Sequence, residues 1–146
     1  MDEAALLEFG ALGIAFVERS GLRVLAAKRG RVRCMMPYEG NENHIGTMYA
    51  GALFTLAELP GGLLYLTSFD TAKFFPIVKE MNIQFRKPVT SDVTVEVGLA
   101  EEAIAAIQAE AETKGKAEFV LEGELKTEDG TLVATSRGVY QLRVAG

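Results

Sequence analysis

One histidine, His44, and a carboxylate fourteen residues further on, Glu58, lie within the apolar run NENHIGTMYAGALFTLAE, residues 41–58. These two types are the common proton carriers of acid–base chemistry: His titrates near neutrality, and burial lifts Glu toward that range. A carboxylate in so apolar a segment costs stability unless it is solvated, paired or used. On a helix of about 100° per residue, Thr47 and Gly51 fall within about 20° of Glu58, and Thr55 within about 60°. The stripe Thr47, Gly51, Thr55, Glu58, Gly62 is therefore small and polar. It leaves room beside the carboxylate for a substrate, or equally for another backbone to approach while Glu58 is hydrogen-bonded in a core.

Upstream, the turn-forming EGNENHIG places the start of this helix near Gly46–Thr47. The first amides of a helix lack internal partners and carry the positive end of its dipole. An oxyanion held there, with a carboxylate further along facing the same space, is the minimum equipment for acyl transfer.

The elements that must position these groups follow from the hydrophobic pattern. An N-terminal helix is expected over 2–18, from Leu6, Leu7 and Phe9. Leu22, Val24 and Ala26 alternate, as do Val32, Cys34 and Met36, so two strands flank a three-residue KRG loop with Gly30 left-handed. The apolar central helix runs from about 46 to 65. In 77–87, Val78 stands out of step with Met81, Ile83 and Phe85, which predicts a bulge. Residues 91–100 form a strand through Val93, Val95 and Val97, and the Ala- and Glu-rich 101–113 a helix. Two last strands flank an Asp129-Gly130 turn. A helix apolar nearly all round is buried, so six strands must wrap it: an α+β fold, one domain over 1–146.

Composition closes several other routes. The net charge of -5 and pI near 5.0 offer no phosphate-neutralising surface, so no nucleic-acid partner is expected. Lys28, Arg29, Arg31 and Arg33 read as a solvated hairpin tip. With one Cys and one His, a metal site would need carboxylates almost alone, and none is expected. Cys34 alternates with Val32 and Met36 and reads as a packing residue. The opening MDEAALLEF is acidic and does not read as a secretory signal, so the expected home is cytoplasmic. Residues 45–66 are long enough to span a bilayer, but Glu58 near mid-span argues against one.

Asn43, Gly46, Thr47, Tyr49, Ala50, Gly51 and Glu58 form N-x-x-G-T-x-Y-A-G-x-x-x-x-x-x-E, which resembles the helix motif of hot-dog thioesterases of the phenylacetate-degradation-protein type. NHIGTMYAGALFTLAELPGG is similar to an uncharacterised hot-dog branch, and MNIQFRKPV at 81–89 extends the likeness over about 22–143. The resemblance implies a hot-dog fold, an antiparallel sheet wrapped around a long apolar central helix.

It also implies an acyl-CoA thioesterase without cofactor. Glu58 is then general base or nucleophile, Asn43 positions the thioester or the attacking water, and the Ala50 amide is the oxyanion donor. His44, Gly46, Thr47, Tyr49, Gly51, Thr55, Val78 and Arg86 would line the substrate. The site would lie between two protomers of a homodimer, or of a dimer of dimers. Against the family pattern, Tyr49 replaces His, Ala50 replaces Gly, Glu58 replaces Asp, and Val78 stands where some members place Ser.

Two other functions fit the same residues. Hot-dog dehydratases pair a loop His with a helix carboxylate at the spacing of His44 and Glu58, which would suit water removal from a 3-hydroxyacyl thioester. A non-catalytic acyl or acyl-CoA binding protein would use the helix only as a pocket wall. Thiol release from acyl-CoA selects the thioesterase, enoyl absorbance the dehydratase, and neither the binding protein.

Overall fold

The computed structural model describes residues 13–146. Residues 2–12 of the expected N-terminal helix lie outside that range. Within it, helix α1 occupies only Ala15–Ser20, after Gly13 in a left-handed conformation.

Strands β1 (Arg23–Lys28) and β2 (Arg31–Met36) form the expected hairpin. Lys28 pairs with Arg31, so the loop is two residues, Arg29-Gly30, rather than three. Gly30, at φ +80°, makes that turn possible, and its N–H bonds Ser68 Oγ at 3.0 Å. Arg29 is not idle at the tip: it holds Glu101 bidentately and donates to the Ser68 carbonyl at 3.0 Å. The tip thus fastens the C-terminal end of the central helix.

That helix, α2, spans Ala50–Ser68, starting four residues later than the sequence suggests. The cause is Asn43. Its Oδ1 accepts from the amides of Ile45 (3.0 Å) and Thr47 (3.1 Å), which folds 43–47 into a side-chain-closed turn instead of a helical one. Gly46 within it has φ +83°. Thr47 is therefore off the helix and leaves the stripe through Glu58. Leu56, Leu63 and Leu64 are fully buried, and 61% of the helix's most apolar stretch is covered by the domain, although by length and hydropathy it could cross a membrane.

The remaining strands are β3 (Phe74–Phe85), β4 (Val93–Gly98), β5 (Lys116–Thr127) and β6 (Leu132–Val144), with helix α3 (Glu101–Lys114) between β4 and β5. All pair antiparallel in one six-stranded sheet of order β1-β2-β4-β5-β6-β3. β4 and β5 share only the rungs Val93–Thr127 and Thr94–Lys126, and there the sheet opens to curl around α2. The expected bulge exists: Val78 faces Tyr140 and Glu80 faces Val139, leaving Lys79 extra. This shift puts Val78 and Met81 on the same inner face as Tyr140, although they are three apart in sequence. The wrapped helix and antiparallel sheet match the α+β architecture the sequence implies. β3 is a twelve-residue edge strand, with Val78 (45%) and Phe85 (51%) exposed on it.

Candidate active site

The segment entering α2 builds one wall of a cleft of about 250 Å³, lined by Asn43, Met48, Ala50, Leu53, Phe85 at the end of β3 and the following Arg86–Val89. Two backbone bonds tie this wall to neighbouring loops: Met48 N–H to Val89 O, after β3, and Tyr49 N–H to Asn41 O, after β2, both 2.8 Å. Beyond them the helix begins. Its first bonds run from Ala52 and Leu53 to the Tyr49 carbonyl, and no side chain caps it. Among the described residues, the Ala50 and Gly51 amides find no acceptor. They carry the partial positive charge of the helix end, and Ala50 borders the cleft.

Asn43 is half-committed. Its Oδ1 is spent on two amides and one Nδ2 hydrogen on Thr47 Oγ1 at 2.7 Å, leaving a single N–H to offer. Thr47 thus shapes the loop, and the Gly46 carbonyl accepts a short bond from the Tyr38 hydroxyl. Arg86 lines the cleft, its guanidinium steadied by Gln84 Oε1 at 3.0 Å and Thr135 Oγ1 at 3.4 Å. His44 is exposed in an adjoining hollow of about 430 Å³ with Phe16, Arg19 and Tyr49, which shares Asn43 with the cleft, and Glu58 does not line it.

Along the helix the polar stripe is narrower than its spelling suggests. The Tyr49 ring, 58% exposed, leans over Gly51, where a Cβ would lie 2.3 Å from its Cε2. Thr55 is buried and turns its hydroxyl back to the Gly51 carbonyl at 2.8 Å. Glu58 is half-buried, one turn after the exposed Phe54 and one turn before Gly62. Among the described residues its carboxylate has neither a hydrogen-bond nor an ion-pair partner, and burial raises its pKa. Among the described residues, Glu58 is thus not a hydrogen-bonded core group.

Glu58 lies eight residues beyond Ala50, about 12 Å along the axis. One thioester carbonyl cannot touch both within a chain, because reacting atoms must come within about 3–3.5 Å. The structure brings Asn43, Ala50 and Arg86 together and leaves Glu58 apart, on the open face of the helix. Val78, opposite Tyr140, faces that helix from the edge strand.

Tyr140 escaped the sequence reading. Its hydroxyl donates to the backbone carbonyl of Glu58 at 3.1 Å, and its ring stacks on Phe119. The inward alternation of β6 marks it as a core aromatic, but nothing in spacing reveals its partner. Cys34 is buried as expected, its thiol pushed up to about 12 by desolvation. Among the described residues no three His, Cys, Asp or Glu side chains gather as metal ligands do.

Comparison with known proteins bears on the family and the fold. A family model described as a domain of unknown function, DUF4442, matches residues 10–144. No curated protein matches the chain. A Pseudomonas aeruginosa protein, PA5026, described as of unknown function and a probable thioesterase, is 54% identical, with 97% of this chain and 95% of that one covered and a TM-score of 0.94. The Haemophilus influenzae thioesterase HI1161 is 17% identical (99% and 92% covered, TM-score 0.76), and a mutant of the Staphylococcus aureus thioesterase SAV0944 is 20% identical (89% and 99% covered, TM-score 0.72). At those identities the last two establish a common fold. The chain belongs to the DUF4442 family, and its fold together with its 54% identity to a probable thioesterase sets it in the hot-dog thioesterase superfamily.

Proposed function

We propose that the protein hydrolyses acyl-CoA thioesters at a site completed by a second copy of the chain. The observation that carries this reading is the Glu58 carboxylate: half-buried, unpaired among the described residues, and turned to the open face of a largely buried helix. Such a group is costly to keep and useful as a base, since a raised pKa brings it nearer the operating pH. The 54% identical relative described as a probable thioesterase supports the same activity.

In the proposed step, Glu58 of one protomer takes a proton from water as the oxygen attacks the thioester carbon. The carbonyl oxygen becomes an oxyanion against the Ala50 amide of the other protomer, where the helix dipole stabilises it. Collapse breaks the carbon–sulfur bond, and the proton held by Glu58 passes to the leaving thiolate, giving a carboxylic acid and free CoA. The remaining Asn43 N–H orients the thioester, and Arg86 with Lys87 meets CoA phosphate at the cleft mouth. The second copy is supplied through β3, whose long unpaired edge and exposed Val78 and Phe85 invite another strand.

The dehydratase reading needs His44 and Glu58 at one substrate; within a chain Glu58 does not line the hollow that holds His44, so that reading too requires a second copy. The test is a panel of acyl-CoAs assayed with a thiol reagent, alongside dehydration of a 3-hydroxyacyl-CoA. Thiol release without enoyl absorbance is expected. Enoyl formation without thiol release would replace the hydrolytic reading.

A further inference from the structure

The turn of α2 that carries Glu58 lacks one of the helix's own hydrogen bonds. Pro60 has no N–H, so the Leu56 carbonyl loses its donor four residues on, and the pyrrolidine ring crowds that carbonyl. A helix opens and bends at such a point unless something outside it holds the turn. Tyr140 is placed to do so. Its hydroxyl bonds the Glu58 carbonyl at 3.1 Å, from a ring only 3% exposed.

That ring is closely enclosed. It stacks on Phe119 at a centroid distance of 5.4 Å and 14°, and Phe119 in turn packs against Phe69. Glycines make room for it on both sides. A Cβ at Gly61 would lie 2.3 Å from its Cε1, and one at Gly138 would lie 2.7 Å from its Cε2. Burial, with the charge of Glu58 adding to it, pushes the phenol's pKa up, so it remains protonated and a donor.

We propose that Tyr140 is a positioning residue for Glu58, tying the Pro60-weakened turn of α2 to strand β6 so that the carboxylate is held at one place. The inference rests on Glu58 being the group that acts in hydrolysis. Glu58 gains nothing from Tyr140 in proton transfer. It gains a fixed backbone, and a misplacement of about 1 Å can cost a reaction about a hundredfold.

The test uses the intact protein and four variants, measuring kcat, KM and melting temperature with the best acyl-CoA. Tyr140→Phe keeps the ring and removes only the donor. It should lower kcat about tenfold or more while KM changes less than about twofold. Adding Pro60→Ala restores the missing N–H to Leu56, and should return several-fold of the lost kcat. In a Glu58→Gln background, Tyr140→Phe should cost nothing further.

A Tyr140→Phe enzyme with wild-type kcat, beside an inactive Glu58→Gln, overturns the positioning role and leaves the hydrolytic reading intact. So does a loss of kcat that Pro60→Ala fails to relieve. If Glu58→Gln itself hydrolyses at the wild-type rate, the functional reading falls and the inference goes with it.

Discussion

Gly61 and Tyr140 approach so closely that a Cβ on Gly61 would lie 2.3 Å from the ring's Cε1. The ring is buried and tied, so Gly61→Ala must displace either the ring or the helix. We expect a loss of about 1–3 kcal/mol. Gly51→Ala is the control, since its Cβ would meet Tyr49 at the same 2.3 Å but that ring is mostly exposed and free to swing. Its change should stay within about 1 kcal/mol, with the helix propensity of Ala in its favour. Denaturant midpoints at equal slope measure both. Equal losses at the two sites would show that the Tyr140 contact is not rigid.

Glu58 carries a stability cost that depends on pH. Its folded pKa is raised, so the folded state binds the proton more tightly than the unfolded chain does. Below the unfolded value, about 4.3, both forms are protonated and the cost is absent. It grows as pH rises through the interval up to the folded value and is fully present above it. Glu58→Gln should therefore match or exceed wild-type melting temperature at pH 7, match it near pH 4, and lose about 10²-fold or more in kcat. A lower melting temperature for Glu58→Gln at pH 7 would mean that the carboxylate has a structural partner.

Ala50 is the first helical residue, and Tyr49 before it has φ -59° and ψ 137°, the extended backbone that a following proline requires. Proline is well accepted at the first position of a helix. Ala50→Pro thus deletes one amide proton at little structural cost. It should fold with a melting temperature at or above wild type, yet lose about 10²–10³-fold in kcat if that amide is the oxyanion donor. Full activity in Ala50→Pro would move the oxyanion to Gly51 or elsewhere.

Ala50 also adds a methyl at the cleft, and Val78 presents an apolar face toward α2 where a hydroxyl would hold water. Ala50→Gly with Val78→Ser should hydrolyse acyl-CoA faster than wild type, mainly through kcat, and adding Glu58→Ala should remove the gain. No acceleration on any acyl-CoA would show that these two positions do not limit the rate.

Much of the fold was legible in the residues. Val78 standing out of step with Met81 marked the β3 bulge, and the Asp129-Gly130 turn marked the last hairpin. The start of α2 was not, because a 3.6-residue pattern continues through Gly46–Tyr49 while the Asn43 side chain takes the amides that a helix would need. Glu58 stood out by its type in an apolar run, and its lack of a partner could only be seen once the sheet was wrapped. The bond from Tyr140 spans 82 residues and leaves no periodic trace. The separation of Glu58 from Ala50 follows from helix geometry and was implicit in the spacing, once the helix start was known.

The central claim is that Glu58 of one protomer and the Ala50 amide of another act on one thioester. Ala50→Pro and Glu58→Gln chains, each inactive alone, should be unfolded together, refolded at equal amounts, and assayed for thiol release from acyl-CoA. Random pairing makes half the dimers mixed, each with one intact site of two, so the mixture should show about a quarter of the activity of refolded wild type. A mixture no more active than its two components, with wild type active, would contradict a site shared between chains.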